Sequence, residues 1–213
     1  MAKIAPFEDF SEEYDEWFVR NKDKYEAELR ALRCFIPVNR GGLEVGVGSG
    51  KFAYSLGIKT GVEPSHKMAD KARKLGVHVL PGIAEDLPFS DNSFDFVLMV
   101  TTICFVDDLK KSFQEANRVL KKDGFIVIGF IDKDSELGEI YRANKGKSRF
   151  YKIAEFFSAQ EVLACLSDAG FGNFETRQTI FPENTQQIEN GFGTGSFVVI
   201  KGSNGPNSMR VFF

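Results

Sequence analysis

Glu44, Gly46, Gly48 and Gly50 fall at alternate positions of the run Leu43-Glu44-Val45-Gly46-Val47-Gly48-Ser49-Gly50, a spacing suited to holding a ligand against bare backbone. Glycines remove the Cβ atoms that would keep a ligand off a turn, and they allow positive φ where a strand bends into a helix. The apolar residues ahead of them place the turn at the carboxyl end of a strand, where open α/β sheets bind ligands. A second carboxylate, Glu63, closes the run Thr60-Gly61-Val62-Glu63-Pro64-Ser65. A βαβ nucleotide fold puts the acceptor of both ribose hydroxyls at about this distance from its glycine turn. The spacing departs from a pyrophosphate-binding GxGxxG, because Lys51 takes the last fingerprint position. It departs from a P-loop too, because Phe52 follows Gly50-Lys51 where a hydroxyl would meet magnesium. What remains is an adenosine ligand without phosphates.

Such a ligand needs a sheet to carry the turn, and the chain alternates accordingly. Strands are expected over 43–47, 60–63, 77–80, 93–100 and 125–131, with helices between them. This βα alternation implies a parallel sheet covered on both faces. The run 93–100 is almost wholly apolar, as for a strand buried on both sides beside the first. Lys121-Lys122-Asp123-Gly124 reads as a helix end, with Gly124 as a left-handed cap. Ser158-Ala159-Gln160-Glu161 fits a capping box, and Gly170 stops the helix it starts. Two last strands, 173–181 and 196–201, are joined by a polar stretch without a helix and should pair antiparallel. The fold class expected is thus α/β: a Rossmann-like, doubly wound, mostly parallel seven-stranded sheet with a C-terminal antiparallel hairpin and helices on both faces.

Before the first strand, residues 7–33 carry Phe10, Tyr14, Trp17, Phe18, Tyr25, Leu29 and Leu32 at largely helical spacing. Tyr14, Trp17 and Phe18 could cover the ligand turn, giving a helical lid over 7–36 on a single domain, 1–201. Residues 202–213 read as a loosely held tail.

At 213 residues, with Lys+Arg 27 against Asp+Glu 30 and a net charge of -3, no global charge attracts nucleic acid or an anionic membrane. The densest basic cluster, Arg142, Lys145, Lys147, Arg149 and Lys152, reads as a solvated loop. Cys34, Cys104 and Cys165 lie far apart, which suggests a reducing compartment and no zinc site. His66 and His78, on separate segments, leave little for a metal site or a Ser/His/Asp triad. The N-terminus is no signal peptide and no apolar run spans a bilayer, so the expected location is the cytoplasm.

Taken in order, the motifs resemble those of the class I S-adenosylmethionine-dependent methyltransferases, specifically the methyltransferase type 11 group. Residues 44–50 are similar to that family's ExGxGxG loop around the methionine part of the cofactor. Glu63 matches its ribose-binding acid. Gly82-Ile83-Ala84-Glu85-Asp86-Leu87-Pro88-Phe89 is similar to its GDAExLPF segment beside the adenine, and the run 115–124 to its ExxRVLKPGG motif, read as structural. The resemblance implies S-adenosyl-L-methionine as cofactor, with Tyr14, Glu44, Gly46, Gly48, Gly50, Glu63, Pro64, Ser65, Ile83, Ala84, Glu85 and Thr101 around it. Two departures stand out. Ile83 replaces the aspartate that accepts from the adenine amino group, so that contact comes from Glu85, from a backbone carbonyl, or not at all. No histidine stands near Phe105, where many relatives have one.

An activated sulfonium needs mainly alignment of an acceptor and exclusion of water. No catalytic residue is assigned; Asp107, Asp108 and Tyr14 are candidates for a base. Asp132 and Asp134 are a poor case for magnesium, so no metal is expected. A small-molecule acceptor is the expected partner, its identity encoded in the N-terminal helices, the loop after the fourth strand and the insertion 132–157. The alternative is a protein that binds or senses S-adenosylmethionine without transfer. An NAD(P) dehydrogenase is disfavoured by Lys51 and the terminal hairpin.

Overall fold

A computed structural model of the protein describes residues 3–204. Three helices open it: α1 (Ala5–Asp9), α2 (Ser11–Arg20) and α3 (Lys22–Arg33). The alternating part follows as β1 (Gly42–Val45), α4 (Lys51–Leu56), β2 (Thr60–Val62), α5 (His66–Lys74), β3 (His78–Leu80), β4 (Phe94–Val100), α6 (Leu109–Val119) and β5 (Leu120–Ile131). The chain then runs through α7 (Glu136–Ala143), α8 (Ala159–Asp168), β6 (Phe171–Thr179), β7 (Ile188–Asn190) and β8 (Phe197–Asn204). All eight strands form one sheet in the order β3-β2-β1-β4-β5-β8-β6-β7. The first five are parallel, and β8, β6 and β7 run antiparallel at one side.

The fold class is the expected one, with β4 beside β1 and one strand more than the seven anticipated. The extra strand, β7, lies in the polar stretch. Its partner is the outer edge of β6, and Thr179 Oγ1 donates to the carbonyl of Gln187 at 2.6 Å to hold it there. Hydrogen bonds to an open edge, not apolar alternation, make this strand, so hydrophobic patterning misses it. Helix α6 also ends differently. Leu120 is already extended and pairs with Phe94, and Gly124 is not left-handed; the expected cap belongs instead to a strand. The capping box at Ser158 and Glu161 is present, and Gly170 is left-handed after α8. Of the expected tail 202–213, residues 202–204 finish β8 and 205–213 lie outside the described residues.

Alternation along the strands builds two cores. Phe96, Leu98 and Val100 of β4 face α2–α5 together with Val127, while Val97 and Met99 face α6 and α8 with Ile126 and Ile128. All of these side chains are buried, at roughly 1.5–3 kcal/mol each for the larger ones. The sheet order reverses between β1 and β4, whose neighbours β2 and β5 are reached by opposite crossovers. That reversal opens a crevice at the carboxyl ends of the strands. Among the described residues no helix is long and apolar enough to cross a membrane.

Candidate functional site

The turn after β1 forms the floor of this crevice. The Gly46 and Val47 amides donate to the carbonyl of Val62 at 2.8 and 3.0 Å, so the turn is pinned to β2 as it leaves the sheet. Gly46 and Gly48 have φ of +69° and +55°. A Cβ on Gly46 would lie 2.4 Å from the Thr102 methyl, while one on Gly48 would meet nothing closer than Tyr14 Oη at 3.4 Å. Gly46 therefore serves close packing of the β4 loop, and Gly48 leaves its backbone open to the cleft.

Glu63, at the end of β2, is buried and latched to that turn. Its Oε2 accepts from Gly48 N at 2.9 Å and its Oε1 from Ser65 N at 2.9 Å. Each oxygen keeps a further lone pair for a ligand hydroxyl. Burial pushes this carboxyl up to about 7, against the lowering effect of its two amide donors.

Nine of the twelve residues expected around a ligand line this one cleft: Tyr14, Gly46, Gly48, Glu63, Pro64, Ile83, Ala84, Glu85 and Thr101. Glu44, Gly50 and Ser65 do not. Glu44 points beneath the turn, where burial drives its carboxyl well above the usual range and Oε2 has no partner among the described residues. At Gly50 a Cβ would lie 2.9 Å from Ala72 Cα, so that glycine lets α4 and α5 pack. Ser65 is the N-cap of α5, accepting from Met68 N. Each of the three is taken up by packing or capping behind the cleft: Glu44 within β1, Gly50 against Ala72 and Ser65 at the start of α5.

Glu85 Oε1 accepts from the amides of Asp107 and Asp108 at 2.6 and 3.1 Å, tying the segment beside Ile83 to the β4 loop. Arg118 holds the same segment from below, donating to Glu115 and to the carbonyls of Leu87 and Phe89. The 115–124 motif is structural, as expected. Of the three base candidates, Asp108 caps α6 through Lys111 N. Tyr14 has its phenol pushed up by burial and by the charges of Glu63 and Glu44, which makes it a hydrogen-bond donor. Asp107 lies on the cleft wall. Asp132 uses its carboxylate to hold the amides of Asp134 and Ala159.

The part of the cleft's roof ahead of the expected lid over 7–36 is not foreseen from the sequence. Lys3 and Ile4 line it, beside Phe7; Lys3 Nζ donates to the carbonyl of Val106 at 3.0 Å. The Phe7 ring meets those of Tyr14 and Phe105 edge-on, with centroids 5.9 and 4.9 Å away. A clue is present in Pro6, a residue favoured at helix starts, which lies in the first turn of α1.

A second chamber of about 300 Å³ adjoins the cleft and shares Phe7, Tyr14, Thr101 and Phe105 with it. It is built from the N-terminal helices, the β4 loop and the insertion after β5. Trp17 faces only this chamber, and Phe18 packs into the core with Tyr25 and Phe52. The aromatic residues of the basic loop, Tyr141, Phe150 and Tyr151, also turn inward here. At the junction Thr101 has φ of +51°, a strained conformation for a β-branched residue, costing roughly 1–3 kcal/mol. Its amide donates to Gly129 O at 2.8 Å, which holds it there.

Comparison with known proteins agrees with this geometry. Residues 43–128 match the profile of the Methyltransferase domain family. A crystal structure from Thermotoga maritima, described as an S-adenosylmethionine-dependent methyltransferase and possible histamine N-methyltransferase, is 48% identical. It covers 94% of this chain and 98% of its own with a TM-score of 0.91. An uncharacterised protein of Methanocaldococcus jannaschii is 47% identical over 91% of this chain and 96% of its own length. The malonyl-[acyl-carrier protein] O-methyltransferase of Geobacter sulfurreducens is 34% identical over 62% of this chain and 56% of its own length.

Proposed function

Since this chain belongs to the class I S-adenosylmethionine-dependent methyltransferases of the type 11 group, with S-adenosyl-L-methionine as cofactor, we propose that it methylates a small molecule held in the second chamber. When bound, the cofactor supplies an electrophilic methyl: the acceptor's lone pair forms the new bond as the carbon–sulfur bond breaks with its electrons left on sulfur. The residues of the cleft suit that ligand. Gly48 offers bare backbone, and Glu63 has lone pairs for two ribose hydroxyls, with Pro64 beside it. Ile83, Ala84 and Glu85 would flank the adenine, and Glu85, with one oxygen already engaged by two amides, would offer the other to the adenine amino group. Tyr14 and Thr101 would hold the methionine end. Glu44 acts from behind the turn. Gly50 and Ser65 support the turn and α5.

The observation that carries the acceptor reading is the shared wall. Phe7, Tyr14, Thr101 and Phe105 border both cavities, so a molecule in the second chamber reaches the methyl end of the first. The aromatic roof excludes water there, and holding two reactants in line is worth up to about 7–11 kcal/mol. The chamber's volume suits a small metabolite. A possible histamine N-methyltransferase, as the Thermotoga relative is described, would have an acceptor of this size. The N-terminal helices act as the lid of a single domain.

The test is transfer of labelled methyl from S-adenosylmethionine to a panel of small amines, phenols and carboxylates. Labelling of one small acceptor supports the reading. Tight binding of S-adenosylhomocysteine with transfer only to protein or RNA would overturn it, and no transfer at all would favour a sensor.

A further inference from the structure

Glu28 lies on α3 with its side chain on the wall of the second chamber, and it is 3% exposed. Among the described residues no hydrogen bond or ion pair reaches its carboxyl. Lys24, one turn earlier on the same helix, only lowers its proton affinity through space. Of the other charged groups at the chamber, Arg20 pairs with Glu16 and Glu13 with Arg149, while Lys24 lines the wall. A carboxyl buried without a partner gives up its charge unless a cation enters beside it.

The rings around it suit the same kind of guest. Tyr14, Tyr141 and Tyr151 line the same chamber as Glu28. Tyr151 stacks between Tyr141, at 4.9 Å, and Phe105, at 6.3 Å. Aromatic walls of this kind suit an apolar or aromatic body. A carboxylate-bearing guest brings no cation to pair with Glu28.

We propose that the acceptor is a small organic cation, an amine with an aromatic or apolar body, whose ammonium is seated on Glu28 while its methyl-accepting atom points back toward Thr101 and Tyr14. This rests on reading the second chamber as the acceptor site. Without a guest, burial pushes the Glu28 carboxyl up to about 8, so it is protonated in the empty chamber at neutral pH. An entering ammonium restores the charge pair.

The experiment is calorimetry on the chain saturated with S-adenosylhomocysteine, titrated with 2-phenylethylamine, 2-phenylethanol and phenylacetate, for the natural chain, Glu28→Gln and Lys24→Met. The expected result is amine binding at least tenfold tighter than alcohol, with phenylacetate weakest. Glu28→Gln brings amine and alcohol within twofold of each other, leaves S-adenosylhomocysteine affinity within twofold, and does not lower the melting temperature. Lys24→Met keeps the amine preference. Equal binding of amine and alcohol, no binding of either, or a preference that survives Glu28→Gln would overturn the assignment. Loss of preference in Lys24→Met alone would do so as well, by giving the carboxyl to Lys24. Failure of S-adenosylhomocysteine to bind would sink the cofactor reading instead, and the amine preference would still be measurable on the free chain.

Discussion

Glu63 makes cofactor binding depend on pH in a direction that can be worked out. With its carboxyl at about 7 in the empty cleft, roughly nine in ten molecules carry it protonated at pH 6. Its oxygens already accept from Gly48 and Ser65, so two further ribose donors favour the ionised form. Binding is then coupled to proton release. The apparent Kd for S-adenosylhomocysteine rises about 2-fold at pH 7, about 11-fold at pH 6 and about 100-fold at pH 5 over its alkaline plateau. Stability runs the other way. A carboxyl raised from 4.5 to about 7 favours the folded state most below pH 4.5, and that contribution, about 3 kcal/mol, is lost as pH rises through 7. The charge of Glu8 adds to the raised value and survives in a Glu63 variant. Calorimetry from pH 5 to 9, in buffers of different ionisation enthalpy, measures both the affinity and the protons released. Glu63→Gln should remove the slope and weaken the alkaline plateau by about 1.5–3 kcal/mol, roughly 10- to 150-fold, for hydrogen bonds to a charged group. A Kd that stays flat between pH 6 and 8.5, or an unchanged slope in Glu63→Gln, would refute the reasoning.

Tyr14→Phe should weaken S-adenosylhomocysteine about 3- to 10-fold, the value of one hydrogen bond, whereas Trp17→Ala, facing only the second chamber, should leave that Kd unchanged and raise the KM for the acceptor. If both variants only lower the melting temperature, the lid reading is wrong. Gly46→Ala combines a left-handed φ with a Cβ 2.4 Å from Thr102, and thermal unfolding should show a loss of about 2–5 kcal/mol. Arg118→Leu removes the clamp on Leu87 and Phe89. Denaturant titration should show a cost of about 1.5–3 kcal/mol, with weaker cofactor binding from a loosened 83–87 segment.

Features set by neighbours along the chain are legible in the sequence itself. The glycine spacing of 44–50, the carboxylate ending β2 and the Ser158 capping box report local backbone geometry, and βα alternation reports which faces are buried; each of these requires only a few consecutive residues. Tertiary packing decided the rest. Glu44, Gly50 and Ser65 have the right spacing but face inward, because the direction of a turn side chain depends on what packs behind it, here α5 in the case of Gly50. Gly124 became part of a strand because Leu120 found Phe94 across the sheet. The roof of Lys3 and Phe7, and the chamber in which Glu28 meets Tyr141 and Tyr151, join segments about a hundred or more residues apart in order-of-magnitude chain separation. On its own helix Glu28 is one more acid near a lysine; it becomes a buried carboxyl facing a cavity only when the insertion after β5 folds over it, since burial is a property of the assembled surface and not of the residue.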